Sequence, residues 1–263
     1  MRPQPNGGFV WVQAAGGTAL ICSALRPFAD HLFTTRGWAL GSRAEAADED
    51  WRPVAASLGV DPEHLVRLHQ VHGAAVVTRR VGDGVPPGGR PEADIAVSDD
   101  PSLVLAIQTA DCVPLLIADR VTGAVAAAHA GWRGLAAGVP GATVGALTRE
   151  FGSAPADLIA AVGPSIGADR YEVGVEVRER FRAAGCSAAQ LDRWFLKGAR
   201  PDHWQFDGGR SAQDQLESAG LTPAHIHVAA LCTATFPDLF CSYRRDGSSA
   251  GRLAAAIRRS GRS

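Results

Sequence analysis

The sequence predicts a single α/β (α+β) domain over residues 1–263, a layered sandwich with mixed β-sheets at its centre and helices outside. The 263-residue chain is 46% hydrophobic and 20% charged, which is enough apolar side chain to bury a full core. Short apolar runs, typical of buried strands, alternate with helical patterns along the chain. No change in composition and no internal repeat divides the sequence, so one domain is the simplest prediction.

Apolar runs bounded by turn residues predict the strands, taken here in chain order. They lie at 9–13, 18–23, 31–35, 103–108, 115–118, 124–129, 158–162, 226–231 and 240–244. The first two flank Ala14-Ala15-Gly16-Gly17, which predicts a hairpin turn. Residues 65–70 fit either a strand or a short helix, and the stretch 81–91, rich in glycine and proline, predicts a loop.

Helical patterns, several of which end at a glycine, predict the helices that cover the sheets. They lie at 44–58, 135–150, 173–184, 211–219 and 252–259.

The charge balance does not favour a protein that binds nucleic acid by bulk charge, since 26 Lys and Arg face 27 Asp and Glu. No apolar run reaches the ~20 residues of a membrane span, and the first residues lack the pattern of a secretory signal. Five cysteines without regular spacing do not describe a disulfide framework. We therefore expect a cytoplasmic protein with neither nucleic acid nor membrane as a partner. The sequence leaves the oligomeric state open.

Histidine and cysteine occur at three places where predicted strands stop, namely at His72, Cys112 and His129. Imidazole and thiolate are usual zinc donors, and three protein ligands with an open fourth position form a catalytic zinc site. The long separations match no local zinc motif, so a packed cysteine with hydrogen-bonded histidines explains the same residues. A third interpretation is a Cys112 nucleophile with a histidine base, its pKa tuned by Asp111 or His129.

Arginines near predicted turns are candidates for an anion site. Gly131-Trp132-Arg133-Gly134 precedes a predicted helix, whose first N–H groups and Arg133 favour an anion. Arg36 and Arg244 follow other turns, although an isolated arginine is more often a solvated surface residue. The turn Gly163–Gly167 lacks the GK[ST] ending of a Walker phosphate loop, and no GxGxxG follows a predicted strand, so a dinucleotide cofactor is not supported.

Together these motifs resemble the YfiH, or laccase-domain, family of purine nucleoside phosphorylases. Its members were earlier labelled multicopper polyphenol oxidoreductases, and some bacterial ones are described as peptidoglycan-editing factors. The matching segments run in order over nearly the whole chain. They are His31–Gly37, Gln70–Gly73, Thr109–Pro114, His129–Gly134, Gly163–Gly167 with Tyr171–Gly174, and Phe240–Asp246 with Gly251-Arg252.

The resemblance implies a compact α/β sandwich with a metal bound by His72, Cys112 and His129. Zinc (Zn2+) is the expected ion, and copper belongs to the older label. The implied activity is phosphorolysis of adenosine, inosine, guanosine or 5′-methylthioadenosine to the base and a pentose 1-phosphate, together with deamination of adenosine. The expected partners are therefore small molecules, purine nucleosides and phosphate.

Five further residues are candidates for this chemistry. Arg36, Arg133 and Arg244 are candidate phosphate-binding residues, because a guanidinium matches two phosphate oxygens. The amide of Gln70 is a candidate to hold the base or the ribose. Asp111, beside a metal ligand, either protonates the leaving ammonia or orients its own turn.

Two alternative functions stay open. One is a copper-dependent polyphenol oxidoreductase (laccase), which requires clustered copper centres. The other is a cysteine hydrolase or amidase that edits peptidoglycan precursors through a metal-free Cys112 thiolate and His129. The chain also has Ser165 where family members often have a second cysteine, which weakens any role that depends on that cysteine.

Overall fold

Strands and helices alternate along a computed structural model that describes residues 2–41, 48–83 and 89–261. The strands are β1 (Phe9–Ala14), β2 (Gly17–Cys22), β3 (Ala29–Thr34), β4 (Leu65–Arg67), β5 (Val76–Arg79), β6 (Ile95–Ser98), β7 (Val104–Thr109), β8 (Val113–Asp119), β9 (Val125–Ala130), β10 (Leu158–Val162), β11 (Glu172–Gly174), β12 (Phe195–Lys197), β13 (His203–Phe206), β14 (Ile226–Val228) and β15 (Leu253–Arg259). The α-helices are α1 (Arg52–Ser57), α2 (Trp132–Ala136), α3 (Val139–Phe151), α4 (Val175–Ala183), α5 (Ala188–Trp194), α6 (Gly208–Ser218) and α7 (Tyr243–Asp246).

Two six-stranded mixed sheets form the centre of the molecule. The first has the order β1-β2-β3-β15-β7-β4, and only its last pair is parallel. The second has the order β14-β10-β8-β9-β6-β5, with a parallel pair at each edge. A third, antiparallel sheet is formed by β11, β13 and β12.

The core is divided into layers by these sheets. One apolar cluster contains buried side chains from both large sheets, such as Phe33 and Leu105 from the first and Leu116 from the second. A second cluster lies between the second sheet and helices α2 to α6. A third contains Trp51 and joins α1 to the first sheet. Helices therefore cover a sandwich of two sheets, and the predicted fold class is confirmed.

Most strands predicted from short apolar runs are present. The hairpin of β1 and β2, strand β3, and the central strands β7 to β10 agree with the sequence within a few residues. The ambiguous segment 65–70 contains strand β4. The predicted helix 44–58 falls partly outside the described residues, and its described part contains a 3-10 turn (Asp48–Trp51) and α1. Part of the predicted loop 81–91 also lies outside them.

The predicted helix 252–259 is wrong, because this segment is strand β15. It lies in the middle of the first sheet, paired with β3 on one side and β7 on the other. Its alanines favour a helix by intrinsic propensity, but Leu253 to Ile257 are almost fully buried and complete two ladders of hydrogen bonds. Tertiary pairing therefore overrides local propensity here.

Three further predictions are corrected. The predicted strand 240–244 is a loop leading into α7, whose first turn is capped by the Ser242 side chain accepting from the Arg245 amide. The predicted helix 135–150 is two helices, broken at Gly138, whose φ of 78° lies in the left-handed region. The predicted helix 173–184 begins later, because β11 occupies its first residues.

None of the helices in the described ranges is long and apolar enough to cross a membrane.

Candidate metal centre

The register of the second sheet brings Cys112 and His129 together. Strands β8 and β9 are antiparallel, with Val113 opposite Ala130 and Pro114 opposite His129. Cys112 immediately precedes β8 and therefore lies beside the end of β9. Their separation of 17 residues along the chain thus becomes a close approach at one end of the sheet.

The third histidine reaches the same point from a loop. His72 lies between β4 and β5 with a φ of 61°, a left-handed conformation that is uncommon for residues other than glycine. The fully buried carboxylate of Asp94 accepts the backbone N–H groups of Val71, His72 and Gly73 at 3.2, 3.1 and 2.7 Å. Asp94 therefore fixes the loop that presents His72.

The three donor groups form one cluster. A ligand atom of each of His72, Cys112 and His129 lies within 4.8 Å of the others. The two imidazole rings meet edge to face, with centroids 4.8 Å apart. Asp94 also contacts Nδ1 of His129 at 2.7 Å. The other ring nitrogen, Nε2, is therefore the atom of His129 that could bind a metal ion.

The electrostatics of the cluster favour a thiolate. Burial opposes ionisation of Cys112, but the charge and hydrogen bond of His129, with a hydrogen bond from His72, lower the pKa of the thiol. Burial likewise opposes protonation of His129, but Cys112 and Asp94 raise its pKa above the usual value. A thiolate is the form in which cysteine binds metal ions.

These residues fit a zinc ion in three respects. Imidazole and thiolate are both zinc donors, and three protein ligands leave a fourth position open, as in a catalytic zinc site. A carboxylate that orients one ligand is the usual second partner of a zinc-binding histidine. Gly131 leaves room beside the cluster, because a Cβ there would lie 2.9 Å from Sγ of Cys112 and 3.1 Å from Cδ2 of His72.

The cluster opens into a cavity of about 540 Å³. Aromatic rings of Trp132, Tyr171 and Tyr243 line it, together with the arginines Arg133 and Arg244. A volume of this size is typical of sites for small organic molecules. The cavity therefore combines a cluster of candidate metal ligands, apolar faces and positive charge.

Arg133 lines this cavity, as its proposed role requires. Its guanidinium lies 4.3 Å from the ring centroid of Trp132, and no acidic side chain within the described ranges pairs with it. The helix that starts after Gly131 is α2, only five residues long, and anion binding by its first N–H groups stays a prediction. The positive charge here comes from Arg133 itself.

Arg244 and Arg36 are placed differently. Arg244 lines the cavity, with its guanidinium 4.9 Å from the ring centroid of Tyr171. Arg36 is absent from the described lining residues. Its guanidinium donates to the carbonyl of Pro237 at 3.3 Å and lies 3.8 Å from the carboxylate of Asp246.

The amide of Gln70 is used within the protein. Its Nε2 donates to the carbonyl of Gln108 at 2.8 Å, and its Oε1 accepts the amide of Gln108 at 2.7 Å. Gln70 thus fastens the His72 loop to β7, and this arrangement favours a positioning role over the predicted contact with base or ribose.

Asp111 also lies at the cavity, but its carboxylate is an acceptor in three hydrogen bonds. The donors are the hydroxyls of Thr233 and Ser242 and the backbone amide of Arg244. Both of its oxygens are therefore engaged by groups of the protein itself. Of its two predicted roles, the surroundings favour orientation of the turn over donation of a proton.

Sequence reasoning missed Asp94, Arg252 and the aromatic lining. Asp94 directly precedes the apolar strand β6, and a charge at the start of a buried strand is the signal that could have found it. Tyr171 and Arg252 belong to segments that carry the family resemblance, yet no role followed from that. Burial and the charge of Cys112 raise the pKa of the Tyr171 hydroxyl, which therefore stays protonated at neutral pH.

Fold and site together define a class of protein, a layered α+β domain with a His-Cys-His cluster that lines a cavity. The family model described as "Multi-copper polyphenol oxidoreductase laccase" matches residues 33–260. The chain belongs to this family, the YfiH or laccase-domain family.

Relatives and a solved structure agree with this assignment. The chain is 38% identical to a purine nucleoside phosphorylase of Deinococcus radiodurans over 240 residues, covering 86% of this chain and 88% of the relative. It is 36% identical to purine nucleoside phosphorylase YfiH of Escherichia coli over 255 residues, 97% and 95% of the two chains. The crystal structure of YlmD from Geobacillus stearothermophilus superposes with a TM-score of 0.83 at 29% identity, covering 96% and 99%.

Proposed function

We propose that this protein is a zinc-dependent purine nucleoside phosphorylase that also deaminates adenosine. Its substrates would be adenosine, inosine, guanosine or 5′-methylthioadenosine with phosphate, and its products the base and a pentose 1-phosphate. The observation that carries the proposal is a His-Cys-His cluster that lines one cavity together with arginines and aromatic rings. Relatives named purine nucleoside phosphorylase support the same class.

In this proposal His72, Cys112 and His129 hold the ion. The carboxylate of Asp94 fixes the ring of His129 and the backbone of His72. The bound zinc supplies Lewis acidity at the bottom of the cavity. Arg133 and Arg244 bind phosphate, because the guanidinium geometry matches two phosphate oxygens. Holding phosphate against C1′ of the ribose replaces an encounter in solution by a reaction between positioned groups.

The aromatic rings suit the nucleoside half of the substrate. Trp132, Tyr171 and Tyr243 line the cavity, and rings of this kind stack on purine bases and keep water out. Tyr171 packs against Phe206, with ring centroids 5.8 Å apart, so that its position is fixed from the core side.

The test is product analysis with protein whose zinc content has been measured. Adenosine is incubated with and without phosphate, and the products are separated by chromatography. We expect adenine and ribose 1-phosphate only when phosphate is present, and inosine in either case. Absence of purine turnover by zinc-loaded protein would overturn the proposal.

Two variants test the assigned residues, each with a matched control. Cys112→Ala should lose bound zinc, whereas Cys186→Ala, outside the cavity lining, should keep it. Arg133→Ala should lose phosphorolysis with folding intact, whereas Arg149→Ala on the exposed side of α3 should not. Stoichiometric zinc in Cys112→Ala, or unchanged phosphorolysis in Arg133→Ala, would remove the respective assignment.

A second candidate function is a metal-free cysteine hydrolase or amidase acting on cell-wall precursors. One observation favours it. Cys112 could act as the nucleophile, its neighbour His129 as the base, and Asp94 as the carboxylate that orients His129, with 2.7 Å between Nδ1 of His129 and Oδ1 of Asp94. Full activity on an amide substrate after zinc removal would establish this function. Loss of all activity on zinc removal would exclude it.

Copper chemistry is less well supported by the ligand sets. Besides the His-Cys-His cluster, the candidate metal-binding group found within the described ranges consists of Asp61, Glu63 and His64. Two of these residues are exposed and offer carboxylate oxygens, which suit hard cations better than copper. A laccase needs several clustered copper centres.

A further inference from the structure

Asp111 connects parts of the chain that lie far apart in sequence. It lies in the turn between β7 and β8, beside Cys112, with a φ of 87° that a non-glycine residue rarely adopts. Its carboxylate accepts the hydroxyl of Thr233 at 2.6 Å, the hydroxyl of Ser242 at 3.0 Å and the backbone amide of Arg244 at 2.6 Å. All three contacts are buried or partly buried.

The backbone of Asp111 adds a further connection. Its carbonyl accepts the amide of Ile166 at 3.0 Å, from the loop that follows β10. One residue therefore fastens three segments, 163–167, 231–234 and 242–245, to the turn that carries a metal ligand. These contacts are made from a backbone conformation that is unfavourable for a non-glycine residue, and the surrounding structure holds it.

Arg244 is held at both of its ends. Its backbone amide donates to Asp111, while its guanidinium donates to the carbonyl of Glu172 at 2.9 Å and lies over the ring of Tyr171. Ser242, which donates to the same carboxylate oxygen, also caps α7. Loss of the carboxylate would therefore release the start of α7 together with the backbone of Arg244.

We propose that Asp111 is a positioning residue that fixes Arg244 at a set distance from the metal ligand Cys112, and so sets the spacing between the metal and phosphate subsites. The inference rests on the proposed function, because it takes Arg244 to bind phosphate. Asp111 acts through Arg244 and does not itself touch the reacting atoms.

A double-mutant cycle tests this inference. Asp111→Asn keeps the size of the side chain but removes its charge and one acceptor oxygen. The three donors are then left with one acceptor oxygen instead of two. We expect affinity for inorganic phosphate to fall roughly 10-fold or more, as for loss of a hydrogen bond to a charged group. Zinc stoichiometry should stay at the wild-type value. The phosphate affinity is measured by calorimetry on zinc-loaded protein, which requires no turnover.

The second arm of the cycle is Arg244→Ala. If Asp111 acts through Arg244, the double variant binds phosphate no more weakly than Arg244→Ala alone. Additive losses would overturn the inference and leave the proposed function intact. Unchanged phosphate affinity in Arg244→Ala would instead overturn the role of Arg244 on which the inference rests.

Two milder variants keep the test informative if Asp111→Asn does not fold. Ser242→Ala removes a donor on the Arg244 side of the carboxylate, and Thr233→Val removes the donor on the other oxygen. We expect Ser242→Ala to weaken phosphate binding several-fold more than Thr233→Val, and only while Arg244 is present. Equal effects of the two variants would contradict the inference.

Discussion

At the scale of single residues, Asp94 determines the geometry of the candidate metal centre. One carboxylate, with no exposed surface, holds His72 through its backbone amide and His129 through its ring. Burial opposes its ionisation, but the hydrogen bonds from His129 and the His72 loop lower the pKa of Asp94. It therefore remains a carboxylate, which orients the imidazole of His129 and fixes the backbone that carries His72.

We expect Asp94→Asn to lower zinc affinity by about 10- to 100-fold, the usual loss when the partner of a metal-binding histidine is removed. The amide of asparagine cannot accept from His129 and from the loop amides with both of its atoms. Competition with a chromogenic chelator measures the affinity. Asp119→Asn is the control, because Asp119 is equally buried but accepts from Val121 and Thr122 in a turn. Equal zinc affinities in the two variants would contradict this role.

The sequence predicted the candidate metal ligands of this site but not the residues that hold them in position. His72, Cys112 and His129 are conspicuous because their side chains are of types that bind metal ions and because predicted strands end near each of them. A charge directly before a buried strand marks Asp94 in the sequence, but only the pairing of β6 with β9 puts it opposite His129. The amide of Gln70 likewise was predicted to face a substrate, whereas its partner is a backbone 38 residues away. Such contacts depend on register, which no local pattern contains.

At the scale of elements, β15 shows why part of the fold was not predictable. Its sequence LAAAIRR has strong helix propensity, and its strand conformation follows from two neighbours distant in sequence. In contrast, β7 to β9 are continuous apolar runs, which are typical of strands covered on both faces. Local patterns thus predicted the strands that are continuous apolar runs. They failed for β15, whose conformation depends on pairing with distant strands.

The first sheet also carries a pH-sensitive contact between elements. His31 of β3 is buried, and its Nε2 accepts the amide of Cys22 at the end of β2, at 2.9 Å. Burial lowers the pKa of His31 from 6.5 to about 4. Between these two values the unfolded chain binds a proton that the folded chain excludes. The contribution of His31 to the free energy of unfolding is therefore complete above pH 6.5 and is lost as the pH decreases toward 4.

We expect the free energy of unfolding to lose about 3 kcal/mol through His31 between pH 7 and pH 4, from the size of its pKa shift. His31→Gln keeps an acceptor but cannot be protonated in this range, so it should lack this part of the loss. Urea denaturation of both proteins at several pH values gives the difference. Parallel stability curves for the two proteins would show that His31 does not titrate in this way.

At the scale of the whole molecule, the two large sheets share one apolar layer. Phe33 of β3, Leu105 of β7 and Leu116 of β8 are almost fully buried within the same cluster. Neither sheet can unfold without exposing the inner face of the other, at a cost of ~25 cal/mol for each Å² of apolar surface. We therefore expect residues 1–263 to behave as a single cooperative domain.

Hydrogen exchange at increasing urea concentration tests this expectation, since peptides from β2 and from β9 report on the two sheets separately. Both should open at the same midpoint. Phe33→Leu, which removes packing volume on the first sheet only, should lower both midpoints together by an amount equivalent to about 1 kcal/mol. Val121→Ala, at an exposed turn position, is the control and should move neither. If Phe33→Leu lowered the midpoint of β2 but not that of β9, the sheets would be separate folding units. The cavity beside β9 would then not depend on the first sheet for its stability.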